Sequence, residues 1–132
     1  MFIDTSVIVA LLAGEPEAGQ LIALISKSKT RLTSGLVVLE ASMRLSTILD
    51  LDPVLVESRV RDLLDEASID IVPIDGDVAT KAVAAFATYG KGRGHPAQLN
   101  LADCMSYACS KMYDVPLLFK GNDFSRTDIA IA

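Results

Sequence analysis

Short apolar segments that predict β-strands alternate with longer helical segments along most of this chain. Residues 2–4 form an apolar run that ends in an acid, and helix-like content follows at once. Two further strand candidates, 30–34 and 69–74, are each followed by a helical segment. Strands separated by helices pair in parallel, and parallel sheets need cover on both faces. The pattern therefore predicts an α/β fold with a mostly parallel sheet.

Glycine, proline and capping residues mark the ends of the predicted elements. Gly14 and Pro16 separate the first two helices, and the stretch 89–96 holds three glycines and a proline among basic residues, which predicts a loop. Asp75 and Asn100 suit helix N-caps. The predicted strands are 2–4, 30–34, 69–74 and 116–119, and the predicted helices are 5–13, 16–28, 36–49, 53–67, 75–89 and 100–113.

Composition predicts one soluble, cytoplasmic domain. The chain has 132 residues, of which 51% are apolar, enough for one core and too few for two ordinary domains, so we expect a single domain over residues 1–132. Apolar runs such as 7–13 are far shorter than the roughly 20 residues of a membrane-spanning helix. No basic segment precedes the first apolar run, so we expect no export signal.

The two cysteines predict neither a disulfide nor a zinc site. Cys104 and Cys109 fall on one predicted helix, about 7.5 Å apart along its axis, which is too far for a bridge. Neither belongs to a CxxC pair or lies near a second histidine. Reduced thiols of the kind found in the cytoplasm are the simpler interpretation.

The acidic charge constrains any role in nucleic-acid chemistry. A formal net charge of −5 argues against a general nucleic-acid binder, which normally presents a basic surface to phosphates. Bound divalent cations could reverse this locally, because they are the largest charges in such a site. Whether cations could bind in this way depends on where the acidic residues lie in the fold.

Four acids are candidate ligands for a cation, although each has an ordinary alternative role. Asp4 and Asp123 follow apolar strands at their carboxyl ends, where open α/β sheets bind ligands, but either could simply cap a turn. Asp103 would suit the third position of a helix capped by Asn100. Glu40 could pair with Arg44, yet its helical neighbours are apolar, and a buried carboxylate needs a partner or a metal.

Carboxylates gathered together repel one another unless cations lie between them. Mg²⁺ prefers oxygen ligands, and two ions about 4 Å apart could activate water and stabilise a leaving oxygen. Asp75 and Asp77 also follow an apolar strand, and the pattern by itself does not exclude them.

Four segments carry a family resemblance that spans nearly the whole chain. They are 2–6, the helix around Glu40, 99–104 and 117–124, and the loop 89–93 precedes the third. At these segments the sequence closely resembles the PIN-domain ribonucleases, specifically the VapC toxins of bacterial type II toxin–antitoxin modules. The resemblance implies a single PIN domain with a three-layer α/β/α sandwich and a central, mostly parallel sheet.

The resemblance also implies the chemistry. Asp4, Glu40, Asp103 and Asp123 would form one Mg²⁺ or Mn²⁺ site that cleaves RNA with metal-activated water, and Asp75 would only cap a helix. The expected partners are an RNA substrate, a VapB-type antitoxin and a second copy of the chain, with operator DNA bound only through the antitoxin and no contact with a membrane. A metal-free ribonuclease often needs two histidines, and this chain has only one, His95.

Other residues could border the site. The residues that could contact RNA or support the acids are Thr5, Ser6, Lys91, Arg93, Lys120 and Arg126, and the tyrosines that could stack a base are Tyr89 and Tyr107. For each of the basic residues, a role as ordinary solubilising surface charge is as well supported as contact with RNA. Helix packing is favoured for the tyrosines, and a structural role in the loop for His95.

Two rival functions remain at this stage. A phospho-receiver domain shares the size, the acidity and a lysine after the last strand, but it needs an adjacent acidic pair where this chain has Ile3-Asp4-Thr5. A regulatory protein that pairs with an antitoxin on operator DNA and cleaves little RNA is the second rival.

Overall fold

The computed structural model describes residues 1–132 and contains four strands and six helices. In chain order they are β1 (Phe2–Ile3), α1 (Thr5–Leu12), α2 (Ala18–Lys27), β2 (Leu32–Ser34), α3 (Gly35–Leu49), α4 (Pro53–Glu66), β3 (Asp70–Val72), α5 (Gly76–Tyr89), α6 (Leu101–Met112) and β4 (Leu117–Leu118). Every predicted element is present. The strands are shorter than predicted, because only part of each predicted segment pairs with a neighbouring strand.

The strands form one parallel sheet in the order β3-β2-β1-β4. Phe2 of β1 lies opposite Leu32 on one side and Leu117 on the other, so β1 occupies the interior of the sheet. The chain adds β2 and β3 on one side of β1 and then crosses to place β4 on the other. Strand order therefore reverses between β1 and β4, and such a switch point opens a crevice at the carboxyl ends of the strands.

The helices cover the sheet around one continuous hydrophobic core of 30 buried residues. Helix α6 packs against β1, β2 and β4, and α3 contacts both β2 and α6. Helix α1 packs against α3. The α/β prediction with a parallel sheet is confirmed, and this packing draws α1, α3 and α6 together beside β1.

Helix starts follow the predicted capping residues. The Asp75 carboxylate accepts hydrogen bonds from the backbone N–H groups of Asp77 and Val78, and Asn100 caps α6. Cys104 and Cys109 are both free and buried. None of the helices combines the length and the apolar character needed to cross a membrane.

Candidate functional site

The switch point between β1 and β4 is the place where the predicted acids converge. Asp4 follows β1 directly and is 7% exposed, and its backbone N–H donates to the Leu118 carbonyl of β4 at 3.0 Å. The loop after β4 carries Asp123. Helices α3 and α6, which supply Glu40 and Asp103, contact each other. The fold thus directs all four acidic positions toward one edge of the sheet.

Both carboxylate oxygens of Asp4 are held by hydrogen bonds. Oδ2 accepts from the backbone N–H of Ser6 at 3.0 Å and from the Ser6 hydroxyl at 2.7 Å, so Asp4 does cap α1. Oδ1 accepts from the Ser106 hydroxyl of α6 at 2.8 Å. The Ser6 hydroxyl in turn accepts from the backbone N–H of Lys120 at 2.9 Å, which links the ends of β1 and β4.

Asp103 has the capping role that the sequence allowed, and it also belongs to the acid group. Its carboxylate accepts from the Asn100 backbone N–H at 2.9 Å, while the Asn100 side chain accepts from the Asp103 N–H, completing a capping box. The pKa of Asp103 is raised to about 6, chiefly by burial. The negative charges of Asp123, Asp4 and Glu40 contribute to this rise, and the hydrogen bond from Asn100 opposes it. The four carboxylates are therefore close enough for their charges to interact.

Glu40 is half-buried and has an oxygen without a partner. Its Oε2 atom is inaccessible to solvent and has no hydrogen bond. Burial raises the pKa of this carboxyl, and the charge of Asp4 raises it too, while the nearby Arg44 and the Thr5 hydroxyl lower it. Glu40 and Arg44 make no direct ion pair, and the Arg44 charge acts on Glu40 from a longer distance.

The donor set suits a hard divalent cation. Mg²⁺ and Mn²⁺ prefer carboxylate oxygens, and an unpartnered buried oxygen such as Oε2 of Glu40 is the kind of atom that a cation satisfies. In this arrangement no three His, Cys, Asp or Glu side chains are close enough together to hold a metal ion. Asp123 is exposed at the mouth of the crevice. The chemistry of these donors, four carboxylates with one unpartnered buried oxygen, fits a divalent cation.

The predicted phosphate-binding residues divide into two groups. The Lys120 ammonium pairs with Glu15 and with Glu17, the latter at 3.2 Å, so its charge is already compensated. Those two glutamates lie in the turn between α1 and α2, and sequence reasoning missed them. Lys91, Arg93 and Arg126 are exposed and make no ion pair, and these three stay candidates for contact with RNA.

The aromatic residues near the loop have structural roles. The Tyr89 ring packs edge-on against the His95 ring, with centroids 4.9 Å apart, and in a tilted arrangement against the Tyr107 ring, at 5.7 Å. The Tyr107 hydroxyl donates to Asp128 at 2.6 Å, which ties α6 to the C-terminal segment. The Nδ1 atom of His95 accepts from the backbone N–H of Ala97 at 3.1 Å. These contacts agree with the packing role that the sequence favoured over base stacking.

Ser106, whose hydroxyl donates to Asp4, is a further residue of the site that the sequence analysis did not identify. It lies three residues after Asp103, which places the two side chains on the same side of α6. A buried serine within a mainly apolar helix face was the available signal, because a buried hydroxyl must find a partner.

An apolar surface adjoins the acids. A groove of about 310 Å³ between α3 and the start of α6 is lined mainly by apolar side chains around Glu40, including Leu39, Met43 and Leu101. Leu101 also lines a second groove, of about 350 Å³, between α5 and α6, which has only hydrophobic residues. The two grooves therefore form one exposed apolar surface.

Comparison with known proteins identifies the family. The PIN domain matches residues 1–130. Ribonuclease VapC30 of Mycobacterium tuberculosis is 44% identical over 131 residues, covering 98% of this chain and 96% of that protein. Ribonuclease VapC28 of the same species is 39% identical over 130 residues, covering 98% and 95%.

Two solved structures share the fold. VapC20 of Mycobacterium tuberculosis, described as a toxin that cleaves the sarcin-ricin loop, superposes with a TM-score of 0.78 at 18% identity, covering 99% of this chain and 97% of that one. A chain of a toxin–antitoxin complex from Klebsiella pneumoniae gives 0.73 at 22% identity, covering 99% and 95%. The receiver-domain alternative is wrong. This chain belongs to the PIN-domain family and, within it, to the VapC ribonucleases.

Proposed function

We propose that this protein is a Mg²⁺- or Mn²⁺-dependent endoribonuclease, the toxin of a VapBC-type toxin–antitoxin module, with residues 1–132 acting as one PIN domain. The observation that carries the proposal is the gathering of the four carboxylates at the switch point, where burial first and the charges of the other three acids second raise the pKa of Asp103. Acids held together at such a point need positive charge between them.

Asp4, Glu40, Asp103 and Asp123 would hold the cation. When bound there, a divalent ion lowers the pKa of water and offsets negative charge on a phosphodiester. Asp4 is oriented by its two serines, and Glu40 offers the buried Oε2. The raised pKa of Asp103 means that this carboxyl holds its proton more tightly than a free aspartate does, so near and below pH 6 a cation that binds there must displace the proton, and cation binding is coupled to proton release.

The surface around the crevice would hold the RNA strand. The exposed side chains of Lys91, Arg93 and Arg126 can pair with backbone phosphates, whereas Lys120 is compensated by its glutamates. With an overall charge of −5, the chain repels RNA until the acids of the crevice are neutralised.

Cleavage of RNA in the presence of Mn²⁺ tests the proposal. We expect EDTA to abolish cleavage, and Asp4→Ala and Asp103→Ala to reduce it at least 100-fold, since removal of a metal ligand removes the charge stabilisation. Asp75→Ala is the matched control, because Asp75 caps a helix and lies outside the acid group. Equal cleavage by wild type and Asp103→Ala would show that the assigned site is wrong, and little cleavage by wild type would favour the regulatory alternative.

A homodimer and an antitoxin are the proposed protein partners. The apolar surface at α3, α5 and α6 is large and exposed, with Leu101 at 71% and Met43 at 60%, and contiguous apolar surface of this kind marks an interface. The acidic charge of the chain suits a basic segment of the antitoxin. Operator DNA would be bound only through the antitoxin. Light scattering after chromatography should give a dimer that Leu101→Glu converts to a monomer, with Leu55→Glu, on the exposed face of α4, as control.

A further inference from the structure

Asp4 has almost no free capacity to accept further hydrogen bonds. An ionised carboxylate offers about four lone-pair positions, two on each oxygen. Both positions on Oδ2 are used by Ser6, through its backbone N–H at 3.0 Å and its hydroxyl at 2.7 Å. One position on Oδ1 is used by Ser106 at 2.8 Å. A single position therefore remains open, and it belongs to Oδ1.

The bond from Ser106 joins two distant parts of the chain. It connects the residue after β1 to α6, across 102 positions of sequence, and both side chains are buried. Asp103 lies one turn earlier on the same helix and is held by its capping box with Asn100. The Ser106 hydroxyl is thus the direct side-chain link between the Asp4 carboxylate and the helix that carries Asp103.

The use of this hydroxyl differs from that of the other buried helical serines. Ser42 donates to the carbonyl of Val38 in its own helix, and Ser110, one turn after Ser106, donates to the carbonyl of Val115. Both of these are local bonds to backbone. Ser106 instead donates to the side chain of an acid at the candidate site.

We propose that Ser106 is a positioning residue: its hydroxyl holds Oδ1 of Asp4 at a set place relative to Asp103 and leaves that oxygen one open position for a divalent cation. The inference rests on the proposed function, since it assumes that Asp4 is a cation ligand. Outer groups that orient a ligand in this way typically change metal affinity 10- to 100-fold when removed.

Two substitutions of equal shape isolate the hydroxyl. Ser106→Thr keeps the donor, and Ser106→Val has nearly the same volume without it, so any strain from the added methyl groups is common to both. Ser110→Ala is the control for losing a buried serine bond on the same helix. Calorimetric titration with MnCl₂ measures the cation affinity of each folded variant, and steady-state RNA cleavage separates kcat from KM.

We expect Ser106→Val to bind Mn²⁺ about tenfold more weakly than Ser106→Thr and to lose kcat with little change in KM for RNA. Ser110→Ala should bind Mn²⁺ within twofold of wild type. Equal affinity of the Thr and Val variants would overturn the proposal, as would equal weakening by Ser110→Ala. Failure of the wild-type protein to bind Mn²⁺ would overturn the proposed function as well, whereas normal binding by wild type and Ser106→Val overturns only the role of Ser106.

Discussion

Replacing Asp103 with asparagine should stabilise the protein in EDTA while it removes activity. The folded protein raises the pKa of this carboxyl from 3.8 to about 6, mainly by burial. A group whose pKa is raised on folding binds its proton more tightly in the native state. Wild-type stability therefore falls as the pH rises from about 4 to about 6, and the full penalty persists above that window.

The size of the effect follows from the shift. About two pKa units at roughly 1.4 kcal/mol each set an upper limit of about 3 kcal/mol. Asp103 is partly exposed, which screens the penalty, and its charge favours the positive end of α6 by about 0.5 kcal/mol, which asparagine loses. Asparagine can still accept the bond from the Asn100 N–H. We expect a net gain of about 1 kcal/mol, or about 3 °C in Tm for a chain of this length.

Urea unfolding followed by circular dichroism at micromolar concentration, in EDTA, measures this gain. It should be largest at pH 7.5 and fall to about a third at pH 4.5, where wild-type Asp103 is protonated. Asp75→Asn is the control, because Asp75 also bonds the backbone at a helix start but lies outside the acid group, and it should show no gain. A loss of stability in Asp103→Asn at pH 7.5, or a gain that is equal at both pH values, would refute the reasoning.

The remaining predictions concern three basic residues with different surroundings. Arg31 donates to three backbone carbonyls, at the end of α2 and at Ala67 after α4, so Arg31→Ala should lower the free energy of unfolding by about 2 kcal/mol; an unchanged urea midpoint would contradict this. Arg93→Ala should raise KM for RNA a fewfold at constant kcat. Lys120→Ala should leave KM nearly unchanged, because Glu15 and Glu17 already compensate the lysine charge. A larger rise in KM for Lys120→Ala than for Arg93→Ala would instead assign the phosphate contact to Lys120.

Much of the architecture was predictable because it depends on local sequence. The alternation of apolar and helical segments determines a parallel sheet through connection length alone. Residues such as Asp75 and Asn100 cap helices through bonds to backbone two or three positions away. The position of Asp4 after the first strand predicts its place at the ligand-binding edge for the same reason.

Strand length and side-chain partners depended on the tertiary structure. The predicted strand 69–74 pairs only over Asp70–Val72, because pairing ends where its neighbour β2 ends. Lys120 was a candidate phosphate ligand by position, and only the approach of the α1–α2 turn shows it compensated by Glu15. Neither result can be found by considering one segment at a time.

The four acids show most clearly which properties depend on local sequence and which depend on tertiary structure. Sequence by itself determined that Asp4 and Asp123 follow strands and that Asp103 suits a helix start, each of which is a local property. Only the packing of α3 and α6 beside β1 decided that Glu40 has an unpartnered buried oxygen and that Ser106 holds Asp4. Burial and the charges of distant residues raise the pKa of Asp103, and both arise only when the folded chain brings those residues together.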